Sequence, residues 1–254
     1  MSDAMLSVEL QNKCLTVTIN RPEKRNALNL ALLDSIKDAF AEHRHADINV
    51  AVLTSVGDKA FAAGGDLQEL DSLRSSAQAR SMSEQVHTVL DEIRYFPVPV
   101  IGALNGVALG GGAELALACD LRIAAAHAEL GLIQAQLAVT TAWGGGIDLI
   151  DAVGNSTALA ILTAGKRLSA AEALALRLYA DVCPEGEDFG AFTREFAGRY
   201  TIMSGNVLRV YKATSAARRR QLHDELSDIA RTGFVETWIH EDHWTAAAAA
   251  LKKR

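Results

Sequence analysis

The stretch from Val98 to Ala118 constrains the fold more than any other part of the sequence. It is long and apolar enough to raise the question of a membrane span. It also contains Asn105 and Glu114, together with five glycines: Gly102, Gly106, Gly110, Gly111 and Gly112. Glycines at this density weaken a continuous helix, and a carboxylate would be costly in lipid. We therefore predict a buried strand, a turn and a buried helix here.

Strand and helix signals alternate along the rest of the chain. Apolar residues recur at helical spacing in 30–40 and 82–93, and the glycine run 110–112 opens a third helix that ends at Ala118. Short apolar runs predict strands at 6–10, 14–19, 50–54, 100–104 and 120–125. A Gly-rich loop is expected at 56–66, and from Gly144 onward the sequence is helical almost to its end, apart from a short strand at 181–183. The prediction is a single α/β unit, with a core at residues 1–185 and a helical C-terminal region at 186–254.

The composition excludes several classes of function. The chain carries a formal net charge of −6, so it lacks the basic field that gathers nucleic acid or acidic membrane. An anionic ligand must therefore be held by a local basic cluster. The three cysteines are scattered without a CxxC pair, which favours a reducing compartment. Residues 1–9 lack the pattern of a signal peptide, so we expect a cytoplasmic protein.

Two short glycine-rich segments point to chemistry. In 61–67 (FAAGGDL), small residues would let backbone N–H groups approach a ligand closely, and Asp66 can cap a following helix. In 106–115 (GVALGGGAEL), the glycine run presents free N–H groups at the positive end of a helix, which suits an anion or a developing oxyanion. Glu114 would lie in the first turn of that helix, where a carboxylate can also simply complement the helix dipole. The second segment has neither the Gly-Lys-Ser/Thr of a Walker loop nor the glycine spacing of a dinucleotide fingerprint.

Five motifs in this order resemble the crotonase, or enoyl-CoA hydratase/isomerase, superfamily. The matching segments are 20–28 (NRPEKRNAL), 61–67, 99–115 closed by Cys119-Asp120, 168–170 and 181–182. The resemblance implies an α/β spiral of ββα turns whose helical C-terminal region packs against neighbours in a homotrimer or a dimer of trimers. It also implies an acyl-coenzyme A thioester as the substrate, with no further cofactor.

The resemblance assigns roles to individual residues. The N–H groups of Gly65 and Gly111 would form the oxyanion hole for the thioester carbonyl, and Glu114 matches the first of two family glutamates that flank the reacting carbons. The CoA moiety would lie near six residues, with the two cations beside its phosphates: Lys24, Arg25, Ala27, Ala63, Asp66 and Leu67.

Position 134 departs from the family pattern. The second family glutamate is expected in a Phe-Gly-x-Pro-Glu context, but the sequence from Leu130 reads Leu-Gly-Leu-Ile-Gln, which places Gln134 there. Glutamine cannot act as a proton acceptor in place of a carboxylate. Water addition normally uses both carboxylates, so this departure leaves the reaction open.

Three functions remain open at this point. The first is an enoyl-CoA hydratase or isomerase with a shifted or water-assisted base. The second is a decarboxylase of a malonyl-type CoA such as methylmalonyl- or ethylmalonyl-CoA, because loss of carbon dioxide needs no base and Gln134 could donate a hydrogen bond to the departing carboxylate. The sequence Trp143-Gly144-Gly145 also resembles the decarboxylating branch. The third, an acyl-CoA-binding subunit without catalysis, is disfavoured by the retained Glu114.

The remaining polar clusters favour structural roles. His43, His45 and the run 240–243 (HEDH) carry ligand-type side chains, but their sequence context predicts exposed helix surface, so we expect no metal site. Arg218-Arg219-Arg220 is expected to be a solvated helix face. Trp238 and Trp244 are predicted to be packing residues of the C-terminal helices, either within the chain or at a subunit contact.

Overall fold

The computed structural model describes residues 4–251, apart from the side chains of Leu67 and Leu251. Its strands are β1 (Leu6–Gln11), β2 (Cys14–Ile19), β3 (Val50–Ser55), β4 (Ala60–Ala62), β5 (Val100–Leu104), β6 (Val107–Leu109), β7 (Leu121–Ala125), β8 (Glu129–Gly131), β9 (Arg167–Ser169) and β10 (Asp181–Cys183). Its helices are α1 (Leu30–His43), α2 (Leu67–Leu70), α3 (Ser76–Arg94), α4 (Gly111–Ala118), α5 (Gly145–Val153), α6 (Asn155–Ala164), α7 (Ala170–Ala175), α8 (Phe189–Thr201), α9 (Gly205–Trp238) and α10 (Glu241–Leu251). Two 3₁₀ turns lie at Pro22–Lys24 and Gln134–Leu137.

The strands form two sheets that are filled in turn as the chain advances. One sheet has the order β1-β2-β3-β5-β7-β10, and the other has the order β4-β6-β8-β9. Neighbours in each are parallel except the terminal pairs β1–β2 and β8–β9. Each pass from β3 to β8 therefore adds one strand to the first sheet and the next strand to the second. This produces a spiral, and the expected mixed α/β class is confirmed.

The apolar, glycine-rich stretch 98–118 forms the centre of this spiral. As predicted, it contains a buried strand, β5, and a buried helix, α4. The short strand β6 lies between them, where only a turn was predicted. Every residue of α4 is buried. A Cβ atom at Gly112 would lie 2.0 Å from the carbonyl oxygen of Ala62, so only glycine lets α4 begin this close to β4. No helix within residues 4–251 is long and apolar enough to cross a membrane.

Two short strands contradict the prediction in detail. The expected loop at 56–66 contains β4, and the expected helical run after Gly144 contains β9 as well as the predicted β10. Each of these two strands is three residues long. A strand of that length cannot show the alternation by which strands are recognised, and its pairing depends on partners distant in sequence.

The C-terminal region is helical, as expected. The predicted boundary at residues 185 and 186 falls in the loop between β10 and α8. The buried face of α8, which includes Phe196 and Ala197, packs against buried residues of the larger sheet. Helix α9 instead places Phe234 and Trp238 in the main core, beside α3 and α5.

Candidate functional site

The two glycine-rich segments meet at one cavity. A volume of about 680 Å³, including its open mouth, is bordered by Gly64 and Gly65 from the first segment and by Gly110 and Gly111 from the second. Glu114 and Gln134 lie on the same wall. The remainder is largely apolar and includes residues from α9 and α10; among its members are Leu70, Met82, Leu109, Leu137, Val139, Trp143, Phe234, Trp238 and His243. The cavity thus joins groups that are far apart in the sequence.

Glu114 lies in the first turn of α4 and is 1% exposed. Its Oε2 accepts hydrogen bonds from the backbone N–H groups of Trp143 at 2.8 Å and Gly145 at 2.9 Å. Its Oε1 accepts from the N–H of Ala142 at 3.2 Å and from Nε2 of Gln134 at 2.9 Å. Four donors therefore fix the orientation of the carboxylate. Burial raises the pKa of Glu114 even though the backbone hydrogen bonds oppose that shift.

Gln134 lies beside Glu114, as expected from the family resemblance. It begins the 3₁₀ turn Gln134–Leu137, and its amide nitrogen donates to Glu114. The amide oxygen Oε1 is buried and has no hydrogen-bond partner among residues 4–251. Because the amide nitrogen donates to the carboxylate of Glu114, the atom of Gln134 that remains unpaired is its oxygen, which is a hydrogen-bond acceptor.

The two expected oxyanion donors lie against the same indole ring. Cβ atoms built at Gly65 and Gly111 would lie 3.5 Å and 2.0 Å from carbon atoms of the Trp143 ring. Within the described chain, neither the Gly65 N–H nor the Gly111 N–H donates a hydrogen bond. Two backbone donors without acceptors therefore border one cavity, as an oxyanion hole requires.

A buried ionic cluster supports the segment that holds Glu114, and sequence analysis did not find it. Nη2 of Arg94 donates to the carbonyl oxygen of Trp143 at 2.8 Å, and the same guanidinium pairs with Asp148 at 2.9 Å. Asp148 also accepts from Arg219 at 2.9 Å and from His223 at 2.7 Å. Although burial opposes it, Arg219 and Arg94 hold the pKa of Asp148 well below its usual range. The predicted solvated face at 218–220 is therefore wrong for Arg219, which is half-buried in this cluster.

The residues expected to bind CoA form two adjoining loops. Lys24 and Arg25 are exposed, and the carbonyl oxygen of Arg25 accepts a hydrogen bond from the N–H of Ala63 at 3.1 Å. Ala63 borders the cavity, whereas Ala27 lies in the adjoining loop, where its carbonyl oxygen accepts from Arg21 at 2.9 Å. The loop that carries the two cations therefore runs beside the loop of the first oxyanion donor.

Asp66 has a structural partner of its own. Its Oδ2 pairs with Arg21 at 2.8 Å, and against the effect of burial this guanidinium lowers the pKa of Asp66. Its Oδ1 accepts from the N–H of Gln68 at 3.3 Å, close to the start of α2, which is the capping position that the sequence predicted. The side chain of Leu67, the last of the expected CoA contacts, lies outside the described residues.

The prediction that the run 240–243 is exposed is wrong for His243. This residue is 1% exposed because its ring packs between Trp238 and Trp244, with centroid distances of 4.6 Å to each. The preceding turn reverses the chain, so that α10 packs back against the 3₁₀ turn at Gln134. A four-residue polar run contains no signal of that reversal. Within residues 4–251, no cluster of three His, Cys, Asp or Glu side chains has the geometry to hold a metal ion.

Comparison with known proteins gives a consistent picture. The profile of the enoyl-CoA hydratase/isomerase family matches residues 9–253. The chain is 33% identical to crotonyl-CoA hydratase from Syntrophomonas wolfei, over 97% of this chain and 95% of that protein. It is 31% identical to short-chain-enoyl-CoA hydratase from Clostridium acetobutylicum, over 97% and 94% of the two chains.

A solved structure extends the similarity to three dimensions. The crystal structure of an enoyl-CoA hydratase/carnithine racemase from Magnetospirillum magneticum superposes with a TM-score of 0.81 at 31% identity. The match covers 100% of this chain and 94% of that one. The fold of this chain is therefore also found in that protein.

Proposed function

Because the chain belongs to the enoyl-CoA hydratase/isomerase family, we propose that it adds water to the double bond of a 2-enoyl-CoA with Glu114 as its only catalytic carboxylate. The observation that carries this proposal is the position of Glu114, which is oriented by four donors in the wall that also holds Gly111. Gln134 acts beside it as a neutral partner.

The oxyanion hole lowers the barrier by binding developing charge. Addition at the β-carbon moves the π electrons of the double bond through the α-carbon to the thioester oxygen. The free N–H groups of Gly65 and Gly111 are suited to hold that oxygen, and each such donor is worth about 3 kcal/mol. Since they are backbone groups in a packed wall, they need no rearrangement during the reaction.

Glu114 moves the proton. Its carboxylate takes a proton from the attacking water as the water oxygen bonds to the β-carbon, and it then delivers that proton to the α-carbon of the enolate. The free Oε1 of Gln134 accepts a hydrogen bond from the same water and holds it in place. A raised pKa makes Glu114 a stronger base than an exposed glutamate, which favours this single-carboxylate route.

A decarboxylase of a malonyl-type CoA is the second candidate, and the glutamine at position 134 is the observation that favours it. Loss of carbon dioxide would leave the same enolate, and Glu114 would have to carry a proton beforehand to supply the α-carbon. A substrate carboxylate would face the acceptor atom of Gln134, which repels it. This contact favours hydration.

The test is an assay of wild-type, Glu114→Gln and Gln134→Glu protein on crotonyl-CoA and ethylmalonyl-CoA, with products identified by mass spectrometry. We expect the wild type to hydrate crotonyl-CoA and Glu114→Gln to lower kcat by about 10²–10⁴. Gln134→Glu should keep or raise hydration because it restores a second carboxylate. Glu185→Gln, an exposed carboxylate, is the control that should change nothing.

Two outcomes would contradict the proposal. Release of carbon dioxide from ethylmalonyl-CoA without hydration of crotonyl-CoA would establish the second candidate instead. A loss of less than about threefold in Glu114→Gln would show that another group moves the proton.

A further inference from the structure

The far end of the cavity contains a polar atom to which the proposed reaction assigns no role. His243 borders the cavity from α10, among the apolar side chains of Leu137, Phe234 and Trp238. Its Nε2 is buried and has no hydrogen-bond partner among the described residues. A buried polar atom without a partner destabilises a fold, so its retention requires an explanation.

The chemistry of this nitrogen follows from its ring partner. Nδ1 of His243 lies 2.7 Å from the carbonyl oxygen of Leu137, and a carbonyl oxygen only accepts, so Nδ1 carries the proton. Burial lowers the pKa of His243, which keeps the ring neutral. In a neutral ring with hydrogen on Nδ1, Nε2 holds a lone pair. Arg74, which lies over the Trp244 ring, also lowers the pKa of His243. Glu114 is a charged group that lines the same cavity.

The position of His243 separates it from the reacting carbons. Those carbons lie beside Glu114 and Gln134, whereas His243 is bonded to Leu137, at the other end of the same 3₁₀ turn. Three residues of such a turn span about 6 Å. His243 is therefore placed to contact the acyl chain beyond its β-carbon.

We propose that Nε2 of His243 accepts a hydrogen bond from a hydroxyl group on the distal part of the acyl chain, so that the preferred substrates are hydroxylated acyl-CoA thioesters. The inference rests on the proposed function, since it assumes that the cavity holds the acyl group. The apolar lining disfavours a charged ammonium as the donor, because a charge would be desolvated there without a partner at that end. His243 is in this sense a specificity-determining residue.

The experiment measures binding by calorimetry with saturated thioesters that cannot react. Hexanoyl-CoA and octanoyl-CoA are compared with 6-hydroxyhexanoyl-CoA and 8-hydroxyoctanoyl-CoA. We expect one of the hydroxylated ligands to bind wild-type protein about threefold to tenfold more tightly than its parent. His243→Phe keeps a flat ring without an acceptor and should abolish this preference, whereas His243→Gln, which offers an amide oxygen, should restore part of it.

A second measurement does not depend on the variants. The ¹⁵N resonance of Nε2 in wild-type His243 should move on addition of the preferred hydroxylated ligand and stay in place with its parent. Equal affinity for hydroxylated and parent ligands, or a preference that survives in His243→Phe, would overturn the inference while leaving the proposed function intact. If none of the four thioesters bound, the proposed function would fail and this inference with it.

Discussion

At the scale of single residues, the absence of a side chain at two positions creates the site. A methyl group at Gly111 would lie 2.0 Å from the Trp143 ring, so a larger residue there must displace a buried indole. At Gly65 the nearest atom is the end of the flexible Leu70 side chain at 2.8 Å, and the Trp143 ring is 3.5 Å away. Gly65 therefore allows a cleaner test of the oxyanion hole than Gly111.

We predict that Gly65→Ala folds normally and lowers kcat/KM by about 10²-fold, because the added methyl group enters the space where the thioester must sit. Steady-state kinetics on the substrate established by the product assay measures this, with thermal unfolding as the check on folding. Gly198→Ala, in α8 with no atom near its new methyl group, is the matched control and should keep full activity. An unchanged kcat/KM in Gly65→Ala would place the oxyanion donor elsewhere.

At the scale of elements, the segment that leads into α5 orients Glu114, the proposed catalytic carboxylate. The backbone from Ala142 to Gly145 supplies three of the four donors to Glu114. Arg94 holds the carbonyl oxygen of Trp143 in that segment, and Asp148 in the first turn of α5 neutralises Arg94. In the proposed mechanism, the buried charges would therefore act on the reaction through the backbone rather than by touching the substrate.

We predict that Asp148→Asn destabilises the protein by about 3–5 kcal/mol, because it removes the buried carboxylate that Arg94 and Arg219 share and leaves them only the half-buried Asp91 and Asp120 as counter-charges. Since the pKa of Asp148 is lowered on folding, its stabilisation is complete above about pH 4 and is lost as the pH falls below that value. Denaturant unfolding between pH 3 and 7 should show a smaller acid dependence in the variant than in the wild type. Asp151→Asn, an exposed change in the same helix, should match the wild type, and equal stability of the two variants would contradict the assigned role.

At the scale of the whole molecule, a protein with a net charge of −6 must attract a polyanionic ligand by local charge. Lys24 and Arg25 are exposed on the loop that is hydrogen-bonded to Ala63 at the cavity. We predict that the double variant Lys24→Gln, Arg25→Gln weakens CoA binding by about tenfold and reduces its salt dependence. Calorimetry at two salt concentrations measures both effects.

The control for that prediction removes the same charge from another surface. Arg194→Gln with Arg199→Gln changes two exposed residues of α8, a helix that contributes no residue to the cavity. It should leave the affinity for CoA nearly unchanged. If both double variants weakened binding equally, the effect would reflect net charge and the assignment of Lys24 and Arg25 would be wrong.

Local sequence patterns predicted several helices and strands, but not the contacts between distant parts of the chain. Periodicity and glycine spacing predicted α1, α3, β5 and α4, because in these elements the local pattern and the buried face coincide. The meeting of Glu114, Gln134 and the two glycines at one cavity could be predicted because short sequence motifs carry them. Arg94, Asp148 and His243 could not, since each acquires its role from partners at least 49 residues away, such as Trp143 for Arg94 and Leu137 for His243. Such contacts depend on how the spiral and the C-terminal helices close on each other.

The grouping of aromatic rings at the cavity also has an optical consequence. The chain has three tryptophans: Trp143 and Trp238 border the cavity, and Trp244 packs against Trp238 with a centroid distance of 5.2 Å. The tryptophans, which dominate the near-ultraviolet emission of a protein, therefore all lie at the cavity or one ring away from it. If the cavity holds the acyl group as proposed, an acyl chain that enters it changes the surroundings of Trp143 and Trp238 directly. The protein would then carry an intrinsic fluorescent reporter of its own occupancy, without an attached dye.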